Sequence, residues 1–496
     1  MEQNDPGSED ARVAATLPDP ARRRLLQTVA TGAALSALRP WSAWSTSSAV
    51  LINDVTGLNP TWVDQQRAPR TAGDVCQAIV QWPGPISIGG ARYSMGGQIA
   101  AEHSLHLDMR QFNRVVRYDA AAKVVRVQTG MRWRDLQTVI DPDDLSVKIM
   151  QSYANFTVGG ALSVNAHGRY VGAGPVINSV RAIQLALADG SLVEASRTSN
   201  ADLFHAAIGG YGAIGVITEA ELDLVPNVVM ERRVHRMPVS RYPVFFREQV
   251  RGDPHVVMHN ADLAPPHFNQ ATAVSWFSTD KPVTVQDRLV PQGQSYKIDQ
   301  AVMWGVAKLP GGDLVRKDVV DPLRYLSHPV VRRNYEASLD VASLGPLAAG
   351  GSLYALQEYF IPVAQFDAFA PRIAAILRNH HVHAINISIR HAPADTGSWL
   401  AWAQEEVFSF VLYYWQGMSA ADQKRVGIWT RELIDAALAL GGTYYLPYQL
   451  HATPAQFARA YPKASQLLAL KARLDPENRF RNKLWDKYGT TSQQLS

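Results

Sequence analysis

Thr157-Val158-Gly159-Gly160-Ala161-Leu162-Ser163-Val164-Asn165-Ala166-His167-Gly168 is the run from which the fold can be read. It pairs glycines with small polar residues in an apolar frame and closes on a histidine. Glycine lets the backbone approach a ligand or another chain segment closely. Taken by itself, His167 reads equally as a satisfied core residue. Upstream lies Ile88-Gly89-Gly90-Ala91-Arg92-Tyr93-Ser94-Met95-Gly96-Gly97-Gln98, entered from the short apolar strand Pro85 to Ile88. Such a loop is either a plain turn or a nest whose N–H groups converge on an anion such as a pyrophosphate. Downstream, Gly210-Tyr211-Gly212-Ala213-Ile214-Gly215 matches the dinucleotide fingerprint, but in reversed context. The fingerprint requires a strand leading into a helix. Here a predicted helix, Ala201 to Ile208, comes first and a strand, Val216 to Leu224, follows.

In this order the three stretches resemble the vanillyl-alcohol-oxidase type of FAD-binding domain. In that family a first glycine loop holds the pyrophosphate and a second, T-V-G-G-x-x-x-x-x-x-H-G, lies along the flavin. A third segment, here Asp202 to Thr218, completes the pocket. The ending, Tyr461-Pro462 and then Asp475-Pro476-Glu477-Asn478-Arg479-Phe480, is similar to that of the aldonolactone and alditol oxidases and the decaprenylphosphoryl-ribose oxidases. The resemblance implies an α+β, two-domain PCMH-type FAD-binding fold with a C-terminal substrate domain built on an antiparallel sheet flanked by helices. It assigns Ile88, Gly89, Gly90, Ala91, Arg92, Tyr93, Ser94, Met95 and Gln98 to the pyrophosphate. Thr157, Gly159, Gly160, Ser163, His167 and Gly168 fall to the ribityl and isoalloxazine region, the Ile217 backbone to the nucleotide, and Tyr445 to a flavin contact.

The departures are informative. Many relatives have a histidine before the first-loop serine that bonds the flavin covalently; Tyr93 stands there, so non-covalent FAD is expected. Aldonolactone and alditol oxidases carry E-x-R followed by A-D on a substrate-domain strand. Here Ser388-Ile389-Arg390 and Ala394-Asp395 keep the arginine and lose the glutamate, and Tyr448 stands where a lysine is usual. The expected catalytic groups are His167, Arg390, Tyr448 and Glu358. Each has a plainer reading: Glu358 in a structural ion pair, Tyr448 as pocket lining, Arg390 in a surface pair with Asp395. His391 and His451 are read as surface residues or as supports behind the site. The expected reaction is hydride transfer from a CH–OH carbon of a polyol, sugar or sugar-derived substrate to flavin N5, with O2 or another electron acceptor. The alternatives are a dehydrogenase that makes a keto-sugar for a partner reductase and a flavin-binding protein without catalysis.

The remaining features bound the organisation. Arg22-Arg23-Arg24 before the apolar stretch Val29 to Leu38 reads as a twin-arginine export signal over residues 1–49. The FAD domain is expected over 50–226, the substrate domain over 227–441 and a C-terminal segment returning to the FAD domain over 442–496. The first half mixes short helices and strands without the regular alternation of a doubly wound sheet. In the second half Leu353 to Ile361 and Ala384 to Ile389 read as strands, alternating with helices Val363 to Asn379 and Ala420 to Leu440. The tail from Ala455 to Tyr488 reads as helical. A net charge of +4 with no basic stripe gives nucleic-acid binding little support. The single cysteine, Cys76, excludes an intramolecular disulfide and a cysteine metal cluster, and reads as buried in the helix Thr71 to Trp82.

Overall fold

A capping box starts the first helix. Thr71 accepts from the Asp74 N–H, the Asp74 carboxylate accepts from the Thr71 N–H, and the helix Ala72–Gln81 follows. Val75, Ala78 and Ile79 share its buried face. Cys76 is one residue round from Val75, about 100° at 3.6 residues per turn, so it is half-buried at the edge of that face, not inside the core. Burial still pushes its thiol up.

The computed structural model describes residues 49–293, 327–344, 348–349 and 351–489. The twin-arginine segment lies outside them. The described residues belong to one compact unit. Three sheets organise it beside the small ribbon Val50–Ile52 and Thr61–Val63. In the first, Leu105–Asp108 is central and pairs in parallel with Gln65–Arg67 and Ile86–Gly89. The second is antiparallel and centres on Val216–Pro226, which pairs with Val124–Gln128 and Val180–Ala186. The turn at Asp189-Gly190, with Gly190 at φ 83°, joins Val180–Ala186 to Leu192–Ser196.

Pro226 ends this system. Val229–Pro238 opens a nine-stranded antiparallel sheet. From one side its long strands run Val229–Pro238, Gln270–Ser278, Val256–Leu263, Ala384–Ala392, Val407–Gly417 and Ser352–Pro362. Mixed helix with antiparallel sheet is the α+β class that the resemblance implies. Side chains alternate across a sheet, and here the alternation divides two environments. Tyr359, Phe408 and Phe410 face helix Phe366–Asn379, where Phe366 and Phe369 pack edge-on against the phenylalanines. The opposite face carries Tyr354, Leu356, Glu358, Val411, Tyr413, Asn386, Ser388 and Arg390, and it floors a cavity.

Four long strands are absent from the sequence reading of this half: Val229–Pro238, Val256–Leu263, Gln270–Ser278 and Val407–Gly417. Val407–Gly417 is buried along nearly its whole length, so it has no alternation to betray it. The tail resolves into three helices, Pro454–Ala460, Ala464–Leu474 and Lys483–Tyr488, and the second ends before Asp475-Pro476. These residues clasp the glycine stretches. Lys471 donates to the Ala213 carbonyl, Asn482 to Tyr211 and Trp485 to Gly210.

Candidate active site

Strand Ile86–Gly89 delivers the chain into the first glycine loop. A β-carbon on Gly90 would collide with Thr157 Oγ1, so the loop lies directly on the second glycine stretch. Arg92 sits at φ 64°, in the left-handed region. The N–H groups of Ala91, Arg92, Tyr93 and Ser94 have no partner among the described residues. This is the backbone of a nest.

Beneath the loop is a buried polar chain. The Arg92 guanidinium reaches Asp108 at 3.3 Å and His106 Nε2 at 3.4 Å. Burial beside Arg92 pushes His106 down to about 3, so its ring is neutral at physiological pH. With Nε2 accepting from Arg92, Nδ1 carries the hydrogen and donates to Ser87 at 3.1 Å.

The second glycine stretch is helical where a loop is expected. Thr157 caps helix Val158–Ser163 by accepting from the Gly160 N–H. Small residues permit this turn to lie against Thr129, whose hydroxyl donates to the Ile217 carbonyl at 2.5 Å. A narrow cleft runs between these pieces, lined by Ile88, Gly90, Ser94, Gln98, Thr157, Gly159, Gly160, Ser163 and Ile217. It shares Gly90, Ser94, Thr157 and Gly160 with a larger chamber of about 510 Å³, so the two adjoin.

Ala91, Arg92, Tyr93, Met95, His167 and Tyr445 line the chamber side. Gly89 and Gly168 line neither space; they are packing positions against His106 and the Met150 carbonyl. The Gln98 amide is fully used as a clasp, donating to the carbonyls of Leu446 and Tyr448 and accepting from Gly96. Tyr445 donates to the Val164 carbonyl at 2.9 Å, which holds its ring beside His167.

All four expected catalytic groups meet on the chamber floor. His167 Nε2 lies 2.5 Å from Glu358 Oε1, and Tyr448 donates to Glu358 Oε2 at 3.1 Å. Ser409, which sequence reasoning missed, donates to Oε1 at 2.5 Å. A serine inside the aromatic run Val407–Gly417 is the only signal that could have marked it. Burial pushes the Glu358 carboxyl up, but His167, Arg390 and Ser409 hold it below the usual carboxylate range. Burial, and then the Glu358 charge, push the Tyr448 phenol well up, so it stays protonated.

Arg390 lies across the ladder from Ser409 and lines the chamber. It forms no ion pair among the described residues, and its Nε is buried without a partner. The expected alternative, a surface pair with Asp395, is not what the structure holds. Asp395 is buried and accepts instead from Asn165, Gly397 and Ser398. His391, one residue along, turns to the opposite face and pairs with Glu406 at 2.7 Å.

A narrow cleft beside a chamber that holds both the unclaimed loop N–H groups and the charged cluster fits a dinucleotide whose reactive ring enters the chamber. Comparison with known proteins identifies the class. Residues 67–196 match the family model of an FAD binding domain. The chain carries a PCMH-type FAD-binding domain, and FAD is its cofactor.

Among curated relatives, L-gulonolactone oxidase of Mus musculus is 30% identical over 162 residues, 32% of this chain and 37% of that protein. Decaprenylphosphoryl-beta-D-ribose oxidase of Mycolicibacterium smegmatis is 22% identical over 413 residues, 76% of this chain and 83% of that protein. Alditol oxidase of a Streptomyces species is 35% identical over 108 residues, 22% of this chain and 26% of that protein. The chain thus spans well under half the length of two of these three relatives.

Proposed function

We propose that the protein is an FAD-dependent oxidoreductase that oxidises a CH–OH carbon of a polyol, sugar or sugar-derived substrate. The observation that carries this reading is the Tyr448–Glu358–His167 chain beside Arg390, which forms no ion pair among the described residues, on the floor of a chamber that adjoins the FAD cleft. The names of the relatives, which include a lactone oxidase, a ribose oxidase and an alditol oxidase, support the substrate class.

Bound FAD supplies the hydride acceptor. The chain's own residues handle the proton and the developing charge. A substrate hydroxyl seated against Tyr448 donates to the phenol oxygen while the phenol hydrogen passes to Glu358 Oε2. A carboxylate held ionised is an adequate base here, because the O–H becomes strongly acidic as hydride leaves its carbon. His167 and Ser409 keep the carboxylate in place. Arg390, permanently charged and planar, lines the chamber and would stabilise negative charge developing on the substrate oxygen or the flavin. The substrate leaves as a carbonyl compound, and O2 or another acceptor takes the electrons. Tyr93 in place of a histidine supports non-covalent attachment of the cofactor.

Anaerobic mixing with a panel of alditols, sugars and lactones tests the reading: at least one should bleach the flavin absorbance. Bleaching by none of them would refute it.

A further inference from the structure

The proposed chemistry leaves one wall of the chamber without a task. Asp262 and Asn260 on Val256–Leu263, Asn386 and Ser388 on Ala384–Ala392, and Trp276 on Gln270–Ser278 all line it. Their spacing from the reacting centre follows from the ladder. Glu358 lies opposite Val411, Val411 opposite Ser388, and Ser388 opposite Asp262. Three strand spacings separate the Glu358 and Asp262 backbones, about 14 Å at ~4.8 Å each. Asp262 therefore cannot touch a carbon that reacts beside Tyr448; it meets the far end of whatever occupies the chamber.

The polar inventory there is specific. Asp262 Oδ1 accepts from the Asn386 amide at 2.9 Å, and Oδ2 has no bond among the described residues. Asn260 is 8% exposed, and its side-chain amide has no partner among the described residues. Trp276 is 3% exposed, and its indole N–H is buried with no partner. An unpaired buried polar group such as the Trp276 N–H is costly and marks a place where a ligand completes the bonding, while half-buried Asp262 and the Asn260 amide line the chamber beside it. The set comprises a carboxylate that only accepts, an indole that only donates and an amide that does both. A hydroxyl group can satisfy all three, because it donates and accepts. A carboxylate or phosphate group cannot donate to Asp262 and is repelled by it. Arg232, across the ladder from Trp276, also lines the chamber; it donates to the Ser327 carbonyl at 3.0 Å and keeps its charge.

We propose that Asp262, Asn260 and Trp276 form a hydroxyl-recognition subsite that holds the non-reacting end of a neutral polyhydroxy substrate and disfavours an acidic one. The inference rests on the proposed function and names its substrate class more narrowly. It is tested on the FAD-loaded enzyme with alditols and the aldonates of the same length, sorbitol against gluconate and xylitol against xylonate. Flavin reduction gives kcat and KM, and ligand-induced change in tryptophan fluorescence gives the dissociation constant.

The wild type should prefer each alditol to its aldonate by at least about tenfold in kcat/KM. Asp262→Asn should raise KM and the dissociation constant for the alditol about tenfold, with kcat within a few-fold, and should narrow the preference. Trp276→Phe keeps an aromatic ring but removes the indole N–H together with the second ring, and should raise KM several-fold; it keeps the test alive if the Asp262 variant fails to hold FAD. Unchanged KM in both variants, a loss confined to kcat, or aldonates equal to alditols in the wild type would each overturn the subsite and leave the proposed function standing. Failure of every CH–OH compound to bleach the flavin would overturn the proposed function itself.

Discussion

Tyr448 donates its phenol hydrogen to Glu358 across 3.1 Å, bridging the segment after Thr443–Tyr444 and the floor of the nine-stranded sheet. The bond keeps a proton donor and a buried carboxylate in one unit. Under the proposed function, the neutral phenol relays a proton to Glu358.

Glu358→Gln should slow flavin reduction by about 10²–10⁴-fold, the range of a lost general base, while FAD content stays normal. In the wild type the reduction rate should fall only on the acid side, below the ordinary glutamate value of 4.5, because the native carboxyl is held lower still. Stability shares the sign. A depressed carboxyl contributes stability fully above its unfolded value and loses it as pH falls through the native one. Stopped-flow reduction against pH is the check, and an acid limb centred near neutrality would contradict the assignment.

Arg390→Met should cost about 10²–10³ in reduction rate, the usual effect of losing one preorganised donor. Folding should be intact, because Arg390 has no ion pair to lose among the described residues. A rate within a few-fold of wild type would remove Arg390 from the site.

Gly90→Ala should lower FAD occupancy and destabilise the protein by about 1–3 kcal/mol, because the added methyl meets Thr157 Oγ1. Thr157→Ala in the same chain should recover part of the loss. Thermal unfolding and the flavin-to-protein absorbance ratio measure both effects; full occupancy in the single variant would show that the two loops are not in register as described.

Acid precipitation should release FAD into the supernatant. Tyr93 stands in the position from which a histidine would bond the ring, and its phenol is pushed up by burial and stacked edge-on against Phe156 at 4.8 Å. Yellow colour kept in the pellet would contradict non-covalent attachment.

Export by the twin-arginine route is a proposal that rests on Arg22 and Arg23. Lysine at both positions conserves charge and should abolish export of the full chain in cells. Equal amounts of exported wild type and double variant would count against that route.

The cofactor domain is legible in the chain because its signals are local. Three glycine stretches, a cap at Thr71 and a turn at Asp189-Gly190 depend on neighbours within a few residues, so the amino acids specify them directly. His167, Arg390, Tyr448 and Glu358 can also be nominated one by one from the sequence. That they form a single cluster cannot. Glu358, Ser409 and Arg390 become neighbours only through the register of three strands far apart in the chain. Val407–Gly417, the strand that supplies Ser409, hides in an apolar run without period. The same register sets what lies beside Ser388. Asp262 stands across the ladder from it, on a strand the sequence reading does not mark. Local backbone preference is written in the order of residues, whereas a catalytic floor is a property of pairing between distant strands, and only the folded sheet carries it.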